Sequence, residues 1–325
     1  MHRLIILFFG GIVLFSCQGK PTPPVTMLDP DLEQINAAIL GDSLNPNLWF
    51  VKASLLQHKG YVAEATDAIR VAINLKPAPQ YYHFLADLQL DHLQSREALQ
   101  TMEQAAATFP DSVNTLLKLS EFQLILKQHD ASIQTINKIL AKNPAQAEAF
   151  FMLGMNFKEI KDTVRAINSF QTAVEQDAML KDGWIELGHL FAAKAHPLAS
   201  LYYENAIRLD TTDVQAWFAK AYYLQQIDSF SQARSIYERI ILQDEKYLDA
   251  YFNLGLLFLA ADSLDQAEHR FYQLTQLEIQ NPRGYYYRGI VSKNKGDQAK
   301  AKEYFRQAAN LDSKYKDALR QYEAL

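Results

Sequence analysis

The stretch that decides the fold is FFMLGMNFKEIKDTVRAINSFQTAVEQ, residues 150–176. Its apolar residues recur three and four positions apart, which is the spacing of one face of an α-helix. A first face opens with Phe150 and Gly154, and a second is formed by Ala166, Phe170 and Ala173. A polar segment, residues 158–165, separates the two faces. The stretch therefore predicts two helices joined by a short turn.

The same pattern recurs through most of the chain. The small residue that opens the second face returns eight times at spacings of 33 or 34 residues, at Ala65, Ala98, Ser132, Ala166, Ala199, Ala233, Ala267 and Ala301. Each first helix carries an aromatic residue or leucine with a small residue four positions later, as in Trp49/Ala53, Tyr82/Ala86, Leu116/Ser120, Phe150/Gly154, Trp184/Gly188, Trp217/Ala221, Tyr251/Gly255 and Tyr285/Gly289. Glycine inside a helix costs about 1 kcal/mol relative to alanine. Its recurrence at this position indicates that a partner helix approaches closely.

The repeated unit resembles the tetratricopeptide repeat (TPR) family, whose pattern is W-x2-L-G-x2-Y, then A-x3-F-x2-A, then P, within 34 residues. Residues 150–173 carry a full form of it, and Pro77, Pro110 and Pro144 end the first three repeats. The resemblance covers residues 46–313. It implies an all-α fold, a TPR α-solenoid in which about eight helix–turn–helix repeats form a right-handed superhelix.

The two ends of such an array need capping helices, because a terminal repeat cannot bury both of its faces alone. We expect residues 31–40 to cap the front and residues 315–325 to cap the back. The side chains expected to face inward are Leu32, Ile35, Ala38 and Ile39 at the front and Ala318, Leu319 and Tyr322 at the back. Residues 31–325 are therefore predicted to form one elongated TPR domain.

Residues 1–16 are interpreted as a signal peptide. Their apolar run, residues 4–15, is shorter than the roughly 20 residues of a transmembrane helix. The motif LFSC, residues 14–17, resembles the lipobox of bacterial lipoproteins, which implies that Cys17 becomes the lipidated first residue of the mature chain. The alternative is an uncleaved anchor or a buried N-terminal helix.

A linker is predicted between the lipid anchor and the repeats, over residues 17–30, because this segment is polar and rich in proline. The resemblance to lipoproteins implies a membrane partner through the lipid anchor and a place in the bacterial cell envelope, facing the periplasm or exposed at the surface. Gln18 follows the cysteine, where Asp is associated with inner-membrane retention, so the outer membrane is favoured.

Composition excludes several classes of function. With 32 Lys and Arg against 37 Asp and Glu, there is no overall positive field, and nucleic acid is not an expected partner. A single cysteine excludes an intrachain disulfide and a zinc site built on several thiolates. Neither H-E-x-x-H nor a P-loop nor G-x-G-x-x-G is present, so we predict no enzyme, no catalytic residue, no metal and no cofactor. His83 and Asp87 are the nearest candidate for a catalytic pair, and a surface ion pair explains them more simply.

The resemblance implies that the fifth and ninth positions of each first helix face a concave groove. We predict that this groove binds protein or peptide segments. The predicted binding residues are Phe50, Phe151, Ile185, Phe218, Tyr222, Phe252 and Tyr286, with Asp87 and Glu121 supplying negative charge. The alternative for each aromatic residue is that it packs against a neighbouring helix as part of the core.

The function that follows is a lipid-anchored scaffold or adaptor in cell-envelope assembly or in the recruitment of envelope enzymes. The alternative is a glycan-binding helical-repeat lipoprotein for nutrient uptake, which would need aromatic residues flanked by Asn, Asp or Arg in one pocket. Charge is unevenly distributed: residues 283–325 carry ten Lys and Arg but only five Asp and Glu. The sequence leaves the identity of the partner open.

Overall fold

The computed structural model describes residues 30–325. The predicted signal peptide, Cys17 and all but the last residue of the predicted linker lie outside the described residues, so these assignments stay predictions. Within residues 30–325 every regular element is an α-helix, and there are 18 of them. No helix in this part of the chain combines the length and the apolar character needed to cross a bilayer.

Eight helix pairs lie between two single helices. The bounds are α1 Pro30–Gly41, α2 Pro46–His58, α3 Val62–Leu75, α4 Pro79–Asp91, α5 Ser95–Thr108, α6 Val113–Ile125, α7 His129–Lys142, α8 Ala147–Glu159, α9 Thr163–Gln176, α10 Lys181–Ala192, α11 Leu198–Leu209, α12 Val214–Gln226, α13 Phe230–Gln243, α14 Leu248–Ala260, α15 Leu264–Leu277, α16 Pro282–Asn294, α17 Gln298–Leu311 and α18 Lys316–Glu323. We call the even-numbered helices α2 to α16 first helices, and the odd-numbered helices α3 to α17 second helices. The prediction of eight all-helical repeats with a further helix at each end is confirmed.

The chain forms two compact units, divided between Ala105 and Ala106. In the first unit α1 packs on α2, and α3 packs on both α2 and α4. In the second unit each first helix from α8 to α16 packs on its own second helix and on the second helix that precedes it. The prediction that residues 31–325 form one continuous domain stays a prediction.

The glycines of the first helices allow two helices of a repeat to approach closely. A Cβ atom on Gly154 would lie 2.5 Å from Cε1 of Phe170, and one on Gly255 would lie 2.6 Å from Cε1 of Phe271. The same holds for Gly188 against Tyr203 and for Gly289 against Phe305. Both distances are far below van der Waals contact, so the close approach indicated by the sequence is confirmed.

Repeats without this glycine use a smaller or differently held partner. The equivalent pairs are Ala53/Ile69, Ala86/Met102, Ser120/Ile136 and Ala221/Tyr237. Three of the four place an aliphatic side chain where the glycine repeats have an aromatic ring. In the fourth pair the ring is held at its tip, since the Tyr237 hydroxyl donates to Gln225 Oε1 at 2.9 Å.

The turn between the two helices of each repeat contains one residue with left-handed backbone. This residue is glycine in Gly60 and Gly296, whereas Leu93, Lys127, Lys161, Ala195, Asp228 and Asp262 adopt the same region with φ between 51° and 64°. In the fourth repeat Lys161 N–H donates to Lys158 O, and Asp162 N–H donates to Phe157 O. These two bonds are the Schellman pattern that ends a helix. Six of the eight turns therefore place a side chain where glycine is less strained.

A side-chain hydrogen bond from tryptophan closes the turn that enters three of the repeats. The indole N–H groups of Trp49, Trp184 and Trp217 donate to the carbonyl oxygens of Ser43, Ala178 and Thr211 at 2.9, 2.9 and 3.1 Å. In each case the acceptor lies six residues earlier in the chain. The aromatic residue at the fourth position of these repeats therefore fixes the turn that enters its own helix.

The third repeat departs from the pattern because it contains a polar contact in its core. Ser132 Oγ donates to Ser120 O at 2.8 Å, and Asn156 Nδ2 donates to Ser132 Oγ and to Met152 O at 2.9 Å each. Ser132 and Asn156 are fully buried. Serine in the small-residue position is thus a hydrogen-bonded member of the core.

The end helices confirm the predicted caps with two corrections. Leu32, Ile35 and Ile39 of α1 are buried and so is Ala318 of α18, as expected. Ala38 and Leu319 are exposed, so the prediction that they face inward was wrong. Each directly adjoins a buried residue, and neighbouring residues of a helix point in directions about 100° apart. Tyr322 is half-buried.

Candidate functional site

The candidate site in the second unit is the surface formed by the fifth and ninth positions of α6, α8, α10, α12, α14 and α16, which we call the first-helix face. Residues four apart lie on the same side of a helix, so the two positions of each helix share this face. The fifth positions are Leu117, Phe151, Ile185, Phe218, Phe252 and Tyr286, and all are half-buried. The ninth positions are Glu121, Met155, His189, Tyr222, Leu256 and Ile290, of which Glu121, His189 and Tyr222 are exposed.

The fifth-position rings also contact the core. Phe151 lies 5.5 Å from Phe170 between ring centroids, and Phe252 lies 6.3 Å from Phe271. Phe218 contacts Tyr237 at 5.8 Å, and Tyr286 contacts Phe305 at 5.6 Å. Each ring thus packs against the large residue of its own second helix and leaves only part of its surface to solvent. Binding of a segment by these residues stays a prediction.

Further ring contacts join neighbouring repeats. Phe218 lies 5.3 Å from Tyr247, and Phe252 lies 5.3 Å from Tyr287. Tyr286 lies 5.0 Å from Tyr315 at the start of the last helix. The aromatic side chains therefore form a row across α12, α14 and α16 that is held in place from repeat to repeat.

Tyr222 is the predicted binding residue with the most accessible aromatic ring. Tyr222 as a whole is 43% exposed. Its ring stacks on that of Phe218, with centroids 6.2 Å apart and planes at 14°. Because Phe218 is itself fixed by Tyr237 and Tyr247, the flat face of Tyr222 is held ready for contact with a partner.

Ionised groups on the first-helix face are partly paired. Lys158 Nζ donates to Glu186 Oε2 at 2.7 Å, and His189 Nδ1 lies 3.9 Å from the same oxygen. Burial acts to raise the pKa of Glu186, but the interactions of its carboxylate with His189 and Lys158 outweigh burial and lower the pKa below the ordinary value. Glu121 is exposed and lies 3.6 Å from Lys118. Glu121 thus takes part in an ion pair on its own helix.

The first unit contains the two remaining predicted binding residues, Phe50 and Asp87. Phe50 is half-buried and contacts Tyr81 at 5.3 Å and Phe84 at 5.4 Å between ring centroids. Asp87 and His83 are also half-buried and lie four residues apart on α4. Within residues 30–325 there is no group of three or more His, Cys, Asp or Glu side chains placed to hold a metal ion.

The sequence analysis missed a polar cavity in the first unit. It has a volume of about 350 Å³, lies among α3, α4 and α5, and is lined by Arg70, Asn74, Tyr82, Gln89, Glu97 and Gln100, among others. Thr101 Oγ1 donates to Gln89 Oε1 at 2.7 Å, and both side chains are buried. The signal was Gln89, which occupies the position held by Phe157 in the fourth repeat.

Three models of the tetratricopeptide repeat match the chain, one over residues 85–147 and 218–282, one over 148–178 and one over 282–315. Among curated proteins, the chain is 24% identical over 294 residues to protein CTR9 homolog from Arabidopsis thaliana, covering 85% of this chain and 27% of that protein. It is 25% identical over 167 residues to interferon-induced protein with tetratricopeptide repeats 2 from Mus musculus, covering 44% and 35%. The chain thus spans about a quarter to a third of the length of these relatives.

Solved structures with a similar fold include the following two. The C-terminal part of a TPR repeat-containing protein from Cytophaga hutchinsonii aligns with a TM-score of 0.61 at 18% identity, over 74% of this chain and 98% of that one. The pilF protein of Pseudomonas aeruginosa aligns with a TM-score of 0.51 at 16% identity, over 65% and 95%. At these identities the likeness concerns the fold alone. Since the repeat models together match more than half of its residues, the chain belongs to the tetratricopeptide repeat family.

Proposed function

We propose that this protein is a lipid-anchored scaffold of the bacterial cell envelope that binds a protein or peptide segment along the first-helix face of its second unit. Tetratricopeptide repeat proteins bind protein or peptide partners and are generally non-enzymatic scaffolds. The proposal assigns that general role to particular residues of this chain. It also places the protein at a membrane through Cys17, in envelope assembly or in the recruitment of envelope enzymes.

The observation that carries the binding proposal is the row of partly exposed aromatic rings, with Tyr222 stacked on Phe218 near its centre. Aromatic side chains that are already held in place lose little conformational freedom on binding and dominate the energetics of many interfaces. The flanking ninth positions, Leu256 and Ile290, are half-buried and apolar. The fifth and ninth positions of α12, α14 and α16 therefore offer a partner apolar side chains around one prominent ring.

The experiment is a pull-down from detergent-solubilised membranes with the full chain and with Tyr222→Ala. We choose Tyr222 because Phe218 and Phe252 pack on the core, and a Phe→Ala change there costs about 3–5 kcal/mol of stability. The matched control is Tyr272→Ala on the second helix α15, since Tyr272 is 44% exposed. We expect Tyr222→Ala to lose a protein partner that the control retains, with unchanged circular dichroism. Equal recovery of every partner by both variants would contradict binding at this face.

The lipid anchor is supported by the LFSC motif and the short apolar run before it. We expect Cys17→Ser to move the protein from the membrane fraction to the soluble fraction, because several acyl chains hold a protein at a bilayer firmly. Persistent membrane attachment of this variant would reject the proposed lipidation. A variant of a residue in the repeats, Tyr272→Ala, serves as the control that remains in the membrane fraction.

The glycan-binding alternative requires an accessible aromatic ring beside polar side chains. In the polar cavity of the first unit, Arg70 and Asn74 accompany Tyr82. Tyr82, however, is only 4% exposed, so its ring offers no free face for stacking on a sugar. This cavity therefore lacks the exposed ring that the glycan-binding alternative requires.

A further inference from the structure

The first-helix face of the second unit is negatively charged on α8 and α10. Glu148, Glu159 and Asp182 are exposed there, and none of them has an ion-pair partner within residues 30–325. Glu148 accepts a hydrogen bond from the neutral amide of Gln146. The cation on these helices that lies close to the face, Lys158, is neutralised by Glu186 at 2.7 Å. Three carboxylates at this end are thus available to a partner.

The opposite end of the face, α16, is positively charged. This helix contains Arg283, Arg288 and Lys293 and no Asp or Glu. Arg288 is directed to Glu268 of α15, its Nε lying 2.9 Å from Oε1. Lys293 is exposed, and its Nζ donates to the neutral Gln321 at 2.9 Å. The side chain of Arg283 is 48% exposed, lies over the ring of Phe252 at 4.6 Å, and forms an ion pair with Asp249 of α14 at 3.4 Å. Lys293 is therefore the cation of α16 without a carboxylate partner within residues 30–325.

Between these ends the fifth and ninth positions are apolar, and the carboxylate of Asp249, the second residue of α14, is paired with Arg283 at 3.4 Å. Phe218, Tyr222, Phe252 and Leu256 occupy the fifth and ninth positions of α12 and α14. The charged residue of α12, Lys220, is paired with Glu204 at 2.6 Å. The face therefore has a negative end, an apolar centre and a positive end, in that order along the chain.

Helix stability accounts for only some of the charges at the two ends. A carboxylate is favourable near a helix N-terminus and a cation near a C-terminus. Glu148 and Asp182 obey this rule because each is the second residue of its helix. Glu159, however, is the last residue of α8, and Arg283 is the second residue of α16. Both oppose the helix dipole. Arg283 is held by Asp249 and the ring of Phe252, whereas Glu159 has no such contact within residues 30–325 and is left for a partner.

We propose that the segment bound at this face is apolar in its centre and oppositely charged at its ends, with its positive end on α8 and α10 and its negative end on α16. This inference rests on the proposed function and adds the chemistry and the direction of the partner. Five first helices packed about 10 Å apart span about 40 Å. An extended segment of about 12 residues covers that distance. Complementary charge at both ends fixes the direction in which such a segment lies.

The test uses three synthetic peptides of about 16 residues with one shared apolar centre, labelled with a fluorophore at a common position. The first has lysines at one end and glutamates at the other, the second has lysines at both ends, and the third has glutamates at both ends. Fluorescence anisotropy with the full chain gives the three dissociation constants. Two exposed ion pairs together correspond to about a fivefold preference, so we expect the first peptide to bind about fivefold tighter than the other two. This preference should weaken as salt is raised.

A charge-reversed variant tests where each end of the peptide lies. We expect Glu159→Lys combined with Arg283→Glu to abolish the preference for the first peptide. The matched control is Glu175→Lys combined with Lys138→Glu, which reverses two exposed charges on the second helices α9 and α7. A photocrosslinker at the lysine end of the first peptide should label α8 or α10 and not α16. Both results support the proposal.

The outcomes separate the two proposals. Equal affinity of the three peptides, or crosslinking of the lysine end to α16, would overturn the proposed charge pattern and leave binding at the face intact. Absence of binding by all three peptides would overturn both. An equal loss of preference in the control variant would show that the effect is not specific to the face, and would also overturn the inference.

Discussion

Replacing Gly255 by alanine tests the packing that joins the two helices of a repeat. The new Cβ would lie 2.6 Å from Cε1 and 2.8 Å from Cζ of Phe271, about 1 Å closer than ordinary contact. Phe271 is fully buried, and Tyr287 stacks on it at 5.2 Å, so the ring cannot retreat freely. Overpacking of this kind costs about 1–3 kcal/mol, and alanine regains about 1 kcal/mol of helix propensity. We therefore expect Gly255→Ala to lower the free energy of unfolding by about 1 kcal/mol.

A second substitution should reverse the sign of this effect. The second repeat combines Ala86 with Met102, which indicates that a flexible aliphatic side chain accommodates the methyl group. In a Phe271→Met background, we expect Gly255→Ala to stabilise the protein by about 1 kcal/mol, because only the gain in helix propensity remains. The coupling energy between the two sites would then be about 2 kcal/mol.

Urea unfolding of the four proteins, followed by far-UV circular dichroism, measures both effects. The control is Ala221→Gly in the sixth repeat. Ala221 is equivalent to Gly255 and lies in the same core cluster as Tyr237, and removal of its methyl group should cost about 1 kcal/mol. If Gly255→Ala stabilises the protein equally in both backgrounds, the contact with Phe271 does not limit the size of this residue, and our explanation of the glycines is wrong.

Three further predictions concern turns, a buried ion pair and tyrosines. Lys161→Gly should raise the free energy of unfolding by about 1 kcal/mol in urea titrations, because φ is +64° at this position, whereas Lys161→Ala should give no such gain. Glu268→Ala should lower the free energy of unfolding by about 2 kcal/mol, since the side chain of Arg288 is only 12% exposed and would lose its charged partner. Leucine at both 268 and 288 should restore most of the loss. Burial raises the pKa of Tyr237 above the value of 10.0 for a free tyrosine. The stability that this group contributes is complete below pH 10 and is lost as the pH rises further, because the unfolded chain then loses the proton more readily than the folded one. The loss is about 1.4 kcal/mol at pH 11. The free energy of unfolding should therefore decrease less between pH 8 and pH 11 in Tyr237→Phe than in the unmodified protein.

The helical repeats could be predicted because a few positions in each repeat determine how its two helices pack. Gly154 and Phe170 are separated by 16 residues in the sequence, and their recurrence at this spacing in other repeats predicted a contact that the structure confirms. The left-handed turns were harder to predict from the sequence than the helix contacts. Gly60 and Gly296 mark two of them, but Leu93 or Lys161 at the same position carries no compositional signal of a positive φ. Backbone conformation there is imposed by the two helices that the turn connects.

The binding face could be predicted only as a set of positions. The sequence places Phe218 and Tyr222 on one side of α12, but their exposure depends on residues from other helices. Phe218 is half-buried because Tyr237 and Tyr247 contact its ring, whereas Tyr222 remains 43% exposed. The polar cavity was missed for a related reason, since Gln89 marks a polar core position but does not give the size of the space around it.

The hydrogen bonds of the three tryptophans make the protein its own fluorescent reporter. Trp49, Trp184 and Trp217 each donate an indole N–H across the turn that enters a repeat, so opening of that joint changes the surroundings of one fluorophore. Arg239 also lies 4.0 Å above the ring of Trp217, which gives this indole an electrostatic environment of its own. Variants that keep one tryptophan and replace the other two by phenylalanine would reveal the order in which the first, fifth and sixth repeats come apart, without any added dye.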